Sequence, residues 1–394
     1  MKKILFVINS LTIGGSEKSL VSLLNLLDYK KFSVDLLMIR KGGEFEKYIP
    51  KEVNILDEQE YYMFLTNKKI KISMLQRYKY SFCRIKTSID LRVNIRKHNP
   101  IHAEQIIYNN HKKVLKRIDK CYDIAIAYSQ GLPTYFVADN VIAKKKIAWI
   151  NCDYATTMYN KKYDEVFYDK FNNIVAVSNS IKESIIKINK NYEKKLKVIL
   201  DIVDPNLINK MANEFTVFQD KSVINILTVA RLVVVHKGYD IAINAAQLLR
   251  NNGYKFKWYI VGDGPDKRKM EKMIHDNQLQ ENVILLGKKD NPYPYMKNCD
   301  IYVQPSKKEG FGLTVAEAKI LKKIIVCTNF NTASELITNK YDGLIVDQSA
   351  EAVYKGIIKY INDSNFKDTI CKTLNINESY NSIKEIEKIN SLIS

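Results

Sequence analysis

The stretch Glu309-Gly310-Phe311-Gly312-Leu313-Thr314-Val315-Ala316-Glu317 places two carboxylates around a glycine-punctuated loop. Just before it, Cys299-Asp300-Ile301-Tyr302-Val303-Gln304-Pro305 reads as a short buried strand that stops at the proline, and a helix is expected to follow. Strand, glycine loop and helix N-terminus together gather free backbone N–H groups around an anion or polar ligand. As one helix, the run would hold the carboxylates ~12 Å apart at ~1.5 Å per residue. Hydrolytic carboxylate pairs stand only ~5–9.5 Å apart. Gly310 and Gly312 also argue against a continuous helix, so the pair reads as two separate hydroxyl-holding groups. Glu317 has a second explanation, because Thr314–Glu317 has the form of a capping box, as does Thr332–Glu335. Glu309 has no such local explanation.

Three further loops of the second half follow expected strands. Arg231-Leu232 … His236-Lys237-Gly238 comes after 224–230. At the carboxyl end of a strand, an Arg fork and a Lys point charge suit phosphate oxygens, although solvated surface cations would look the same. Val261-Gly262-Asp263-Gly264-Pro265 is a tight turn with Pro265 suited to a first helical turn. Asn291-Pro292-Tyr293-Pro294-Tyr295 reads as a rigid loop, structural or lining a pocket. In the first half, Gly14-Gly15-Ser16-Glu17 follows a strand at 3–8, and Leu20, Leu23, Leu24 and Leu27 follow at helical spacing. Ser16 is the expected N-cap, and a plain strand-to-helix turn would have the same composition. The five histidines form no HxxxH or Cys/His cluster and the six cysteines no CxxC pair, so no metal or cofactor is expected. The scattered cysteines read as reduced core residues.

The elements that must position these loops alternate strand and helix, the pattern of a doubly wound α/β protein. Expected strands are 3–8, 34–39, 53–56, 123–128, 146–150, 173–177 and 197–200, then 224–230, 256–261, 283–286, 300–303, 324–327 and 344–346. A helix is expected over 106–118, a capping box at Ser180–Glu183 and a last amphipathic helix over 382–393. With 394 residues, two domains are expected. The pattern loosens at 201–218 and a polar run follows at 219–222. The expected division is therefore a first domain over 1–204, a second over 205–376 and a terminal helix over 377–394; the family resemblance given below implies that the first binds the acceptor and the second the nucleotide sugar. Met1–Ile8 reads as a first strand rather than a signal peptide, since its apolar run is short and no cleavage site follows. No run approaches the ~20 apolar residues of a membrane span.

The net charge is +19. It concentrates in 68–97, where Lys68, Lys69, Lys71, Arg77, Lys79, Arg84, Lys86, Arg92, Arg96 and Lys97 face the single acid Asp90. Tyr61, Tyr62, Phe64, Tyr78, Tyr80 and Phe82 interleave them. An anionic membrane surface suits this stretch, and so does a solvated helix face. No nucleic-acid motif accompanies the charge, and no nucleic-acid partner is expected.

Taken together, Gly14–Glu17, Val177–Ser180, Arg231…Lys237-Gly238, Val261–Pro265, Asn291–Tyr295 and Asp300 through Glu309…Glu317 resemble the retaining family-4 glycosyltransferases of the GT-B fold. The nearest likeness is to bacterial capsule, O-antigen and wall polysaccharide enzymes. The resemblance implies two Rossmann-like domains facing each other across a cleft, with a C-terminal helix crossing back to the first. It implies that Arg231 and Lys237 hold the donor diphosphate and Glu309 the donor sugar, making these three the catalytic set. Glu317 would bind the ribose, the N–H groups of Gly310, Phe311, Gly312 and Leu313 would lie beside sugar and phosphate, and Gly262 and Gly15 would complete the donor site. A sugar would pass, without a metal and with retention, from a nucleoside diphosphate to a lipid-linked or oligosaccharide acceptor. The enzyme would be cytoplasmic and peripheral on the inner face of the membrane, through 61–97. Two departures stand out. Asn151 replaces a histidine of many relatives, leaving Asn151 and Asp153 as acceptor-side candidates, and the Arg231–Lys237 spacing is one residue longer. An epimerase or phosphorylase on the same architecture, or a non-catalytic sugar-nucleotide binder, are the rival readings.

Overall fold

The computed structural model describes residues 1–12, 14–96, 100–218, 220, 222–376 and 382–393. Lys97, Gln219, Lys221 and 377–381, which entered the expectations above, lie outside the described residues. The chain divides into two compact units, 1–202 with 384–394, and 203–383.

Unit one is built on seven strands: β1 (Lys2–Ile8), β2 (Phe32–Met38), β3 (Asn54–Ile55), β4 (Ile118–Ala127), β5 (Val141–Ile150), β6 (Asn173–Ala176) and β7 (Leu196–Val198). They lie in the order β3-β2-β1-β4-β5-β6-β7, every pair parallel. Unit two has β8 (Ile224–Val229), β9 (Phe256–Val261), β10 (Val283–Gly287), β11 (Ile301–Gln304), β12 (Ile324–Thr328) and β13 (Leu344–Val346). Their order is β10-β9-β8-β11-β12-β13, again all parallel. Both sheets therefore reverse direction of strand addition once, between β1 and β4 and between β8 and β11. In open α/β sheets, ligands collect beyond the carboxyl ends of the strands at that reversal.

The strands form where the sequence runs continuously apolar, because helices cover both faces of each sheet. Ile4 through Ile8 and all of β12 are buried. In unit two the core centres on Trp258, whose Nε1 donates to Thr228 Oγ1 at 3.0 Å, while Thr228 donates to Val303 O at 2.7 Å. A buried indole N–H and hydroxyl are thus satisfied within the sheet, joining three adjacent strands.

Several local expectations shift. The helix expected over 106–118 spans Ala103–His111, and β4 already begins at Ile118. The capping box at Ser180–Glu183 gives way to Ser178, whose side chain accepts from Ile181 N to start the helix Asn179–Ile188. Ser16 does not cap: the helix Gly15–Leu26 has Gly14 at its N-cap, and Ser16 donates instead to Glu17 Oε2. Pro265 precedes the N-cap Asp266 of the helix Lys267–Asp276 and is outside its first turn. Asn291–Tyr295 is not all loop, since Tyr293–Asn298 is helical. Cys83, Cys299 and Cys327 are buried, but Cys121 is exposed. The last helix, Ile383–Ile393, lies on unit one: Leu200 N donates to Glu385 Oε2 and Lys145 Nζ to Leu392 O.

Candidate active site

At the reversal of the second sheet, the loops after β8 and β11 are locked together. Lys307 N donates to His236 O at 2.8 Å and Lys308 N to the same oxygen at 3.2 Å. Gly238 allows this approach: a Cβ there would stand 1.8 Å from Pro305 O, and φ is +63°. No other residue type supplies both the left-handed backbone and the missing Cβ.

The result is a network around Glu309. Lys237 Nζ donates to Glu309 Oε1 at 2.8 Å and to Oε2 at 2.7 Å. From below, Ser306 Oγ (2.6 Å) and Gln304 Nε2 (3.0 Å) donate to the same Oε1. Gln304 is fully buried, and its own Oε1 accepts from Tyr302 OH at 2.7 Å and Thr314 Oγ1 at 3.2 Å. A carboxylate held by three side chains on one oxygen has little rotational freedom, which is the preorganisation a binding group needs. Arg231 follows β8 and is exposed. Gly310, Phe311, Gly312 and Leu313 turn from this network into the helix Leu313–Ile320. Gly312 is its N-cap at φ +99°, and Phe311 O accepts from Thr332 Oγ1 at 2.7 Å. Gly262 follows β9.

Glu317 departs from the capping reading of its sequence. The helix begins at Leu313 with no side-chain cap, so Thr314–Glu317 is not a capping box. Nor does Thr332 cap the short helix Ala333–Leu336. Glu317 is fully buried, and its Oε1 accepts from Tyr293 OH at 2.8 Å. Tyr293 came from the loop given only a structural or pocket-lining reading. Its hydroxyl satisfies a buried carboxylate, which sequence spacing alone had no means of pairing.

The reversal of the first sheet looks different. Gly15 opens its helix and is exposed. The Glu17 carboxyl lies back over the turn, so that a Cβ on Gly14 would stand 2.2 Å from Glu17 Oε2. Burial raises the Glu17 carboxyl above the ordinary range, against its own N–H and the Ser16 hydroxyl. Asn151, just beyond β5, donates its N–H to Gln130 Oε1 at 3.1 Å and its Nδ2 to Tyr128 O at 3.0 Å. Its Oδ1 is buried without a hydrogen-bond partner among the described residues, as are Asn9 Oδ1 and Ser129 Oγ. The register of β1, β4 and β5 brings all three to the same edge of the sheet. Asp153 is engaged locally, accepting from Ser184 Oγ at 2.6 Å and Thr156 Oγ1 at 3.1 Å.

Glu104 was missed by the sequence reading. It accepts from Asn9 Nδ2 at 3.1 Å, Leu132 N at 3.3 Å and Tyr159 OH at 2.8 Å. These partners are distant in sequence, so only the fold joins them. Among the described residues, no group of three or more His, Cys, Asp or Glu could hold a metal ion.

Residues 212–373 match the family described as glycosyl transferases group 1. Over 371 residues (93% of this chain and 92% of the relative) the sequence is 25% identical to an N-acetylgalactosamine-N,N'-diacetylbacillosaminyl-diphospho-undecaprenol 4-alpha-N-acetylgalactosaminyltransferase of Campylobacter jejuni. Over 209 residues (50% of this chain, 54% of the relative) it is 28% identical to the capsular polysaccharide biosynthesis glycosyltransferase CapM of Staphylococcus aureus. In structure it is similar to Anabaena HepE in complex with UDP and glucose, with TM-score 0.70, 16% identity and coverage of 100% of this chain and 99% of that one. Staphylococcus aureus TarM, solved with UDP, has TM-score 0.66 at 18% identity, with full coverage of both chains.

Proposed function

We propose, from the premise that this chain is a GT-B glycosyltransferase resembling the enzymes of cell-surface polysaccharide synthesis, that it moves a sugar from a nucleoside diphosphate to a lipid-linked saccharide with retention. The observation that carries the reading is the Lys237–Glu309 pair at the switch point of the second sheet, with Arg231 beside it in sequence and a helix N-terminus after it. UDP in the structures of HepE and TarM supports a nucleotide donor. The diphospho-undecaprenol named in the Campylobacter relative supports a lipid-linked acceptor.

In this reading the donor diphosphate draws on Arg231 and Lys237, and Glu309, held in place by Gln304 and Ser306, accepts from the sugar hydroxyls. The bond from the anomeric carbon to phosphate oxygen breaks, and negative charge grows on the leaving diphosphate. The two cations and the N–H groups at Gly310–Leu313 stabilise that charge where it develops. The acceptor hydroxyl attacks from the face the phosphate leaves, and its proton passes to the departing phosphate oxygen. No protein base and no metal is assigned a step. The unpartnered oxygens of Asn9, Ser129 and Asn151 serve as neutral contacts for acceptor hydroxyls. A cytoplasmic enzyme held at the inner face of the membrane through 61–97 would meet such an acceptor.

A thermal-shift screen of UDP- and GDP-sugars tests the donor half directly, because a ligand that binds only the native state raises its melting temperature. Nucleotide release that appears only when undecaprenyl-linked saccharides are added tests transfer. Release without any acceptor would point to another reaction, and no shift with any sugar nucleotide would end the assignment.

A further inference from the structure

The basic segment of unit one folds into the helix Glu60–Leu65 and the 22-residue helix Met74–Ile95. The longer helix is amphipathic in an unusual sense. Its buried side presents Tyr80, Cys83, Thr87 and Asn94; Tyr80 and Cys83 join Tyr61 in a small cluster of their own, with Phe64 and Val114 packed against it. Tyr61 and Tyr80 contact edge to face with centroids 5.2 Å apart, and Cys83 Sγ donates to Asn110 O. The aromatic residues interleaved in the sequence therefore split. Tyr61, Tyr62 and Tyr80 are core, while Tyr78 and Phe82 are exposed at 73% and 70%.

The outward side is the more apolar one. At about 100° per residue, Met74, Tyr78, Phe82, Ile85, Ile89 and Val93 fall within an arc of about 100°, opposite the buried side. Every one of the six is exposed by half or more. Arg77 and Arg84 border this arc on one edge, Lys79 and Lys86 on the other, and the lone acid Asp90 is paired with Lys86 at 2.8 Å. A helix that shows water a continuous apolar stripe about 30 Å long has an unmet partner. Cationic edges on both sides of that stripe match a surface whose apolar interior lies beneath anionic headgroups. A second copy of the helix would set like charges against each other in an isologous pairing. Nucleic acid would leave the stripe unburied. Among the described residues no helix is long and apolar enough to cross a membrane, so the geometry is that of an in-plane anchor.

We infer that the helix Met74–Ile95 seats its outward face in the headgroup layer of an anionic lipid bilayer, with Arg77, Arg84 and Lys79 on the lipid phosphates. The inference deepens the reading of a lipid-linked acceptor and rests on it for its biological sense. Its test does not depend on that reading, because vesicle binding is measured without donor or acceptor and sugar-nucleotide binding without vesicles.

Co-sedimentation with phosphatidylglycerol–phosphatidylethanolamine vesicles should retain the full chain, and phosphatidylcholine vesicles should retain far less. The triple variant F82S/I85S/I89S should lower retention at least tenfold. Each basic residue near a charged surface contributes on the order of fivefold, so R77Q/K79Q/R84Q should lower it about a hundredfold, with strong salt dependence in the parent. Both variants should melt as the parent does, since none of the six side chains is buried. Retention unchanged in both variants, or no retention of a folded parent, would overturn the inference. So would a dimer of the parent in solution that F82S/I85S/I89S dissociates, because the stripe would then belong to a second copy.

Discussion

The carboxyl edges of the two sheets share a topology and differ in chemistry. On the second, the charged groups are already paired: Glu309 with Lys237, Gln304 and Ser306, and Glu317 with Tyr293. On the first, the carboxylates Glu104 and Asp153 are held by neutral groups (Asn9 and Tyr159, Ser184 and Thr156), and the side-chain oxygens of Asn9, Ser129 and Asn151 have no hydrogen-bond partner among the described residues. A prepaid charged network suits a ligand of fixed chemistry such as a nucleoside diphosphate, because little reorganises on binding. Unpartnered amide and hydroxyl oxygens suit hydroxyl-rich ligands, which can satisfy them one at a time. The difference also extends to the buried ionisable groups. Glu309 has a cation against it, whereas Asp201 of unit one is buried beside Ser19 and the like-charged Glu17.

Breaking the charged side should have the largest effect. Glu309→Gln keeps the shape but gives up the charge, and a loss of transfer of at least about a hundredfold is expected, read as initial rates with saturating donor. Lys237→Met leaves the Glu309 carboxylate short of its cation in a partly exposed site. A loss of about 2 kcal/mol in urea unfolding is expected, between the limits for surface and buried pairs. Gln304→Leu should lower transfer about tenfold by freeing Glu309, with Gln304→Glu failing to restore it because it adds a like charge.

On the neutral side, pH separates the units. Burial, with Glu17 adding to it and Ser19 opposing, raises Asp201 to about 7. The native state then binds more protons than the unfolded state between the ordinary carboxyl value and about 7. Stability from this group is full below that window and falls as pH rises through it. Asp201→Asn should remove this fall and gain on the order of 1–2 kcal/mol at pH 8 relative to the parent, measured by urea melts across pH. Ser129→Ala should have the smallest effect, within about 0.5 kcal/mol of parent stability, since its hydroxyl has no hydrogen-bond partner to lose among the described residues. A rise in acceptor KM with kcat unchanged would sharpen the comparison, and a large loss of stability would break it.

Strand placement was readable in advance because strands buried on both faces are largely apolar runs: β13 coincides with its run Leu344–Val346, and β9 spans the expected 256–261 despite Lys257. Helix starts were less readable. Ser16, Thr314 and Thr332 have the right chemistry to cap, but Gly14 and Gly312 take the N-cap positions of the first two helices, and Thr332 spends its hydroxyl on Phe311 O. Caps are decided by where the chain leaves the preceding strand, which local composition does not encode.

By itself, the order of residues determined the alternation of strand and helix, the two parallel sheets and the loops that carry Arg231, Lys237 and Glu309. Local periodicity and glycine placement suffice for that. Only the tertiary structure decided that Lys237 pairs with Glu309, that Tyr293 satisfies a buried Glu317, and that Tyr80 faces the core while Phe82 faces out. Each of these depends on contacts between segments far apart in the chain or on which side of a helix another element covers.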